Sequence, residues 1–283
     1  MVRFGVCVLP TDLILSPTEI AIAVEEKGLD MLFFAENSHV PVVHRKNSYH
    51  RPEMVQPFAR MHDSLTSLAA CAAVTQRIQL GTGVCLLTER DPITTAKAVA
   101  TLDHISNGRV IFGVAGGWIK EAIENHGCPF KQRWEVVRER AIAIKTIWAS
   151  DPAEYHGKYV NFEKITSFPK PLQKNGPPIY IGSNSSKVPD RVVDYADGWM
   201  PIYDKYEGDP LNDLNEACLK KGRDPKDFTT LLFGAPRDIN VLEDFATRGC
   251  KGFIFLVPPE QSDNIPSVLD EIKTLKDLLL KSD

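Results

Sequence analysis

The sequence predicts an α/β fold, a (β/α)8 or TIM barrel, and two observations carry that reading. Eight short apolar runs rich in β-branched residues alternate with eight amphipathic stretches along the 283 residues. The runs are nearly continuous rather than alternating, as in parallel strands covered on both faces. A doubly wound open sheet also alternates, but usually with fewer strands. The length suits one barrel, and no repeat, low-complexity tract or linker interrupts it, so residues 1–283 read as a single domain.

The first strand, 3–9, is ended by Pro10 and Thr11. A helix over 17–27 follows, with Ser16 as N-cap, Pro17 at the first helical position and Glu19 completing a capping box. Strand 29–36 leads into a long connection, 37–62, rich in His, Arg and Pro. In a barrel that loop after strand 2 lies at the C-terminal face, where active sites sit, and it is expected to form a mobile lid. Helix 64–74 returns to strand 77–86, in which Gly81 and Gly83 weaken the run unless a bulge or close backbone approach needs them. Helix 92–105 precedes strand 109–115, and helix 131–149 follows it. Residues 150–177 form an insertion before strand 5, a hairpin-like piece with a Pro-rich return, on the opposite face. Strands 178–182, 198–202, 229–235 and 252–257 alternate with helices 187–196, 209–221, 239–248 and 264–281 to complete the count.

Composition excludes several classes. Thirty-three basic against 37 acidic residues leave a net charge of −4, which disfavours nucleic acid or an anionic membrane as main partner. The six cysteines are scattered, without CxxC or Cys/His clusters at metal-ligand spacing, as suits a reducing cytosol. The N-terminal apolar run is too short for a signal peptide or membrane span, so a cytoplasmic location is expected. A small organic substrate is the expected partner, with a homodimer as the open alternative to a monomer.

Three strand ends are unusually poor in side chains. "GVAGGW" (113–118) ends strand 4, "GSNSS" (182–186) ends strand 5, and "LGTGV" (80–84) lies inside strand 3. Each alone is also explained as a tight turn or an ordinary Ser/Asn cap. Together they describe a wide rim with exposed backbone, suited to a planar cofactor with a phosphate tail, the phosphate sitting on consecutive N–H groups and a helix N-terminus. Lys187 and Arg191 on the following helix, and Lys120 after "GGW", add positive charge at that rim. The spacing is not a dinucleotide fingerprint, and neither HExxH nor GxSxG is present. His104 and His126 stand near helix ends, where capping is the ordinary role. His39, just past "FFAEN" and at the base of the lid, is the histidine expected to meet a ligand.

The chain resembles the bacterial luciferase-like family, especially its branch dependent on the deazaflavin coenzyme F420. The resemblance spans essentially the whole sequence and is densest over 77–127 and 177–201, in the pattern "LGTGV…P…AK…TLD.IS.GR…GV..GW". It implies a cofactor ring across the C-terminal mouth, resting against a bulge at Gly83, Val84 and Cys85 with a cis Gly83–Val84 peptide. It also implies that Gly116, Gly117 and Trp118 pass beside the ring, and that Gly182, Ser183, Asn184 and Ser185 hold the phosphate. Asp103 and Arg109 then pin the helix before strand 4 to that strand. After strand 2 many relatives carry E-H-x-H or D-H where this chain has Glu36-Asn37-Ser38-His39, so Glu36 and His39 alone carry over as catalytic candidates. The glutamate that sugar-phosphate-oxidising relatives carry near Gly116 is absent, and Ala115 stands where many relatives have glycine. The implied activity is hydride transfer between F420 and an organic substrate. The alternatives are an FMN-dependent monooxygenase or reductase, and a flavin-binding protein without turnover.

Overall fold

The computed structural model describes residues 2–42, 55–258 and 264–282. Its parallel sheet contains β1 (Arg3–Val8), β2 (Met31–Phe34), β3 (Gln79–Thr82), β4 (Cys85–Leu86) and β5 (Val110–Ala115). An antiparallel hairpin, β6 (Ala153–His156) and β7 (Asn161–Ile165), stands apart. The sheet resumes with β8 (Ile179–Ile181), β9 (Gly198–Trp199), β10 (Thr229–Phe233) and β11 (Gly252–Leu256). Neighbours run β3-β2-β1-β11-β10-β9-β8-β5-β4, and β3 also pairs with β5, closing the sheet. The third stave is one strand broken into β3 and β4, so the closed form is an eight-stave (β/α)8 barrel.

Side-chain alternation builds two cores. Phe4, Val6 and Val8 of β1, with Leu32 and Phe34 of β2, face the helices. Cys7, Met31, Phe33, Ile111, Tyr180, Met200, Leu231, Phe233 and Ile254 form a separate cluster inside the barrel. Inward glycines sit opposite the bulky members of that cluster. A Cβ on Gly81 would fall 2.3 Å from Phe33, and one on Gly113 would fall 2.1 Å from the Thr82 carbonyl and 2.4 Å from Met200. The missing side chain at Gly113 is therefore required by barrel packing, which corrects the expectation that a ligand occupies that space.

The outer layer follows the predicted order: α1 (Pro17–Glu26), α2 (Val55–Ala59), α3 (Ser64–Val74), α4 (Pro92–Ile105), α5 (Lys120–Asn125), α6 (Arg133–Ala149), α7 (Val188–Tyr195), α8 (Pro210–Lys220), α9 (Ile239–Thr247) and α10 (Ile265–Ser282). The Ser16–Glu19 capping box is formed, with Ser16 N–H donating to Glu19 over 2.8 Å. Two short helices, α2 and α5, were not expected; each is too short to show a helical period. Strand 198–202 contracts to Gly198–Trp199 because Pro201 has no N–H to give the ladder, and Ile202 pairs with Phe233 as a single bridge. The hairpin expected within 150–177 is β6–β7. Of the expected lid, residues 43–54 lie outside the described residues.

Asp103 and Arg109 are both anchors, though not of each other. Asp103 accepts from the backbone and side chain of Gln173, while Arg109 donates to Ala72, Thr75 and Ile78 at the end of α3. None of the described helices is long and apolar enough to cross a membrane.

Candidate functional site

The C-terminal ends of the staves form the mouth, and its floor is apolar. Ala35 after β2, Val84 before β4 and Ile202 after β9 are partly buried against the inner cluster. The Gly83–Val84 peptide between β3 and β4 is cis, and Gly83 N–H donates to the Phe34 carbonyl at 2.7 Å. Gly182 packs on Val84, since a Cβ there would lie 2.6 Å from Val84 Cγ1. The Cys85 side chain is fully buried; burial pushes its thiol well up, and neighbouring Glu36 pushes it further. Of the Gly83–Cys85 bulge, then, Val84 is the side chain left partly open at the mouth.

One wall is rich in donors. The turn after β8 carries Ser183, Asn184, Ser185 and Ser186, whose backbone N–H groups meet no acceptor among the described residues. Asn184 Oδ1 accepts from Ile202 N–H at 2.9 Å and the Ser183 carbonyl accepts from Trp199 at 2.9 Å, so the turn is fixed by its other side. Arg191, on α7, stacks its guanidinium 4.3 Å from the Trp134 ring, and Arg133 stacks 4.0 Å from Phe130. Arg133 also lies against the glycine turn after β5, its Cγ 3.3 Å from where a Cβ on Gly116 would stand. Arg133 Nε and Arg191 Nη1 are buried without a hydrogen-bond partner, and neither guanidinium has a carboxylate partner among the described residues. Burial lowers the pKa of Arg191, and the charge of Arg133 lowers it further. Arg133 thus adds its charge to the half-buried Arg191, which lies on the helix that the 183–186 turn opens. Lys187 is exposed, and Lys120 pairs at 3.8 Å with Glu124 on its own helix.

Gly116 is buried, and Gly117 has φ +71°, a conformation that favours glycine. Trp118 is 52 % exposed, with its ring 6.0 Å from Phe58 in an edge-on contact.

The other wall is polar. Glu36 is tied down at both oxygens: Leu86 N–H and Arg90 Nε donate to Oε1, and Arg90 Nη2 and Ser64 donate to Oε2. Its side chain is 6 % exposed. Burial disfavours the Arg90 charge, but the hydrogen bond and charge of Glu36 outweigh burial and hold Arg90 above its usual range. Glu36 thus clamps β2, β4 and the start of α3 together.

Beyond it, three connections converge on the Ser38 hydroxyl. Ser38 donates to Glu89 at 2.6 Å and lies 2.8 Å from His39 Nδ1 and 3.1 Å from His126 Nε2. A hydroxyl has one proton, so both ring nitrogens must donate to its oxygen. His39 Nε2 in turn accepts from Asn125 at 2.9 Å, which fixes the tautomer. Ser38 and Glu89, with Glu36, Asn37, His62 and Arg90, line a cleft of about 300 Å³. His39 therefore stands at the mouth, as expected, but as a member of a network. His126 was read from the sequence as a helix-end residue, and its pairing with His39 comes only from the barrel bringing the β2 and β5 connections together. Arg133 was also missed; the available signal was a cation in the first helical turn, where the helix dipole disfavours it.

Comparison with known proteins agrees with this architecture. The model of the family described as Luciferase-like monooxygenase matches residues 15–236. An uncharacterized protein of Mycobacterium tuberculosis is 30% identical over 274 residues, covering 95% of this chain and 97% of that one. An F420-dependent glucose-6-phosphate dehydrogenase of Amycolatopsis mediterranei is 31% identical over 195 residues, 68% of this chain and 53% of that one. An FMNH2-dependent dimethylsulfone monooxygenase of Pseudomonas putida is 30% identical over 150 residues, 52% of this chain and 41% of that one. Among solved structures, the coenzyme F420-dependent tetrahydromethanopterin reductase from Methanopyrus kandleri superposes with a TM-score of 0.73 at 18% identity, covering 96% of this chain and 97% of that one.

Proposed function

This chain belongs to the luciferase-like monooxygenase family, and we propose that it is an F420-dependent oxidoreductase acting on a small organic substrate at the barrel mouth. Bound there, the deazaflavin supplies the carbon that gives or takes a hydride. The observation that carries the reading is a pair of half-buried arginines without carboxylate partners among the described residues: Arg191 on the helix that the 183–186 turn opens, and Arg133 against the Gly116 turn, each with a buried nitrogen that has no hydrogen-bond partner. These groups hold the phosphate. Val84, Ala35 and Ile202 give a flat ring an apolar bed, and Trp118 shields its edge from water. The Ser38, His39, Glu89 and His126 network meets the polar atom of the substrate and holds the proton that accompanies hydride transfer.

The preference for F420 over FMN is supported by the relatives. The F420-dependent dehydrogenase aligns over 68% of this chain and the FMNH2-dependent monooxygenase over 52%. Titration of the purified protein with each cofactor, followed by absorbance, tests the proposal: F420 binds tighter and FMN does not displace it. Tight FMN that F420 cannot displace transfers the reading to an FMN-dependent monooxygenase or reductase. F420 binding with no oxidation of the reduced cofactor across a panel of carbonyl, enone and nitro compounds transfers it to a binding protein without turnover.

A further inference from the structure

We propose that His39, Glu89 and His126 form a site for a divalent first-row transition metal, of the Zn²⁺ or Co²⁺ kind, at the barrel mouth. The three residues come from three connections, and their donor atoms all lie within 4.8 Å of one another. Ser38 Oγ marks the point where they converge, 2.6 Å from Glu89 Oε2, 2.8 Å from His39 Nδ1 and 3.1 Å from His126 Nε2. A metal at that point needs bonds of about 2.0–2.2 Å, so each donor closes in by roughly half to one ångström as the hydroxyl turns out. Ser38 is exposed on its loop, and both imidazoles stand at loop or helix-end positions, which leaves that movement free.

Charge points the same way. The Glu89 side chain is 4% exposed, and among the described residues it meets the Ser38 hydroxyl and, at 3.8 Å, His126. Arg90, next in sequence, is engaged by Glu36 and Asp63 instead. A buried carboxylate without a permanent cation is costly, and a dication answers it. An outer partner is also in place. Asn125 holds His39 Nε2 at 2.9 Å; when Nδ1 ligates, its proton moves to Nε2 and the Asn125 amide turns to accept it. His126 likewise moves its proton to Nδ1, so binding releases no proton from either ring. Two histidines and one glutamate leave a fourth position, which faces the cleft that Ser38 and Glu89 line. That position takes water or a carbonyl, hydroxyl or carboxylate oxygen of a small ligand, and polarises it.

The site shares Ser38, His39, Glu89 and His126 with the proposed proton-holding network, so an occupied metal site replaces that role and binds the polar atom of the ligand instead. Its test uses neither cofactor nor substrate. The full chain is stripped with chelator and titrated with Co²⁺, followed by visible d–d absorption and competed with Zn²⁺. One equivalent binds with the spectrum of a four- or five-coordinate site. His39→Ala and His126→Ala abolish the signal with melting temperatures intact. Asn125→Ala weakens binding about 10- to 100-fold, and Ser38→Ala retains it because the hydroxyl is displaced. The absence of saturable binding overturns the proposal, as does binding unchanged in both histidine variants. Loss in His156→Ala instead assigns the metal to the exposed Glu154, His156 and Glu163 group on the β6–β7 hairpin and also overturns it.

Discussion

Val84 Cγ1 stands 2.6 Å from the point where a side chain on Gly182 would begin. The broken third stave and the turn after β8 are thereby locked together, although they lie far apart in sequence. Gly182→Ala forces Val84 off the floor of the mouth, and overpacking of this kind costs about 1–3 kcal/mol. Chemical denaturation of the variant should show that loss, together with weaker cofactor binding. The double variant Val84→Ala/Gly182→Ala should recover most of the stability, since the two changes share one contact. Additive losses in the double variant would place the cost elsewhere.

Glu36→Gln separates a structural role from a catalytic one. Breaking a buried ion pair from one side costs about 3–5 kcal/mol, and Glu36 is held by Arg90, Ser64 and the Leu86 N–H at once. The expected result is a large drop in unfolding free energy, with the surviving folded protein still binding cofactor. Unchanged stability with lost turnover would return Glu36 to acid–base work.

That distinction shows what the sequence could and could not convey. Strand order, the Ser16 capping box and the weakness of the third stave at Gly81 and Gly83 are local signals of period and turn chemistry, and each appears in the fold. The reason for Gly113 is not local: Met200 and the Thr82 carbonyl fill its place, and both come from other staves. The same holds for His126, whose ring lies 5.5 Å from that of His39 only because the barrel closes. Glu36 was legible as a residue of the mouth, but its partners, which decide its role, were not. Asp103 and Arg109 were legible as anchors, but their partners were not, because Gln173 and Thr75 lie on segments that carry no motif.

The cysteines should be inert in the folded protein. All six are buried, and burial pushes the thiols of Cys7 and Cys71 up to about 12 and raises those of Cys85, Cys128, Cys218 and Cys250. The reactive species is the thiolate, so labelling by a thiol reagent at pH 8 should be slow until denaturant exposes all six. Because the folded values are raised, reactivity of the folded protein should grow only well above that pH. Rapid labelling of one thiol at pH 8 would show that its segment opens.

His39→Ala should divide binding from turnover. His39 touches Ser38 and Asn125, whereas the groups proposed to hold the phosphate, Arg133, Arg191 and the 183–186 turn, make no described contact with it. Cofactor dissociation constants should stay within about twofold, while turnover with any substrate found falls by about 10²–10⁴, the usual contribution of a positioned proton-transfer group. Equal losses in both would mean that the ring itself leans on His39.

The arginine pair makes the sharpest prediction, because binding and stability should respond with opposite signs. Without an anion, Arg133 and Arg191 repel each other, and two of their nitrogens are buried without partners. Arg133→Met and Arg191→Met keep the packing against Phe130 and Trp134 but remove the charge. The ligand-free variants should therefore melt no lower than the parent protein. Hydrogen bonds to charged groups contribute about 1.5–3 kcal/mol, so each variant should bind the phosphorylated cofactor about 10- to 100-fold more weakly. Its binding should also depend less steeply on salt. Riboflavin, which has no phosphate, should bind parent and variants alike. Lys187→Ala should change little, because that side chain is exposed and its charge is screened. A structural role for the two arginines predicts the reverse pattern: lower melting temperatures, and equal losses for phosphorylated and unphosphorylated ligands.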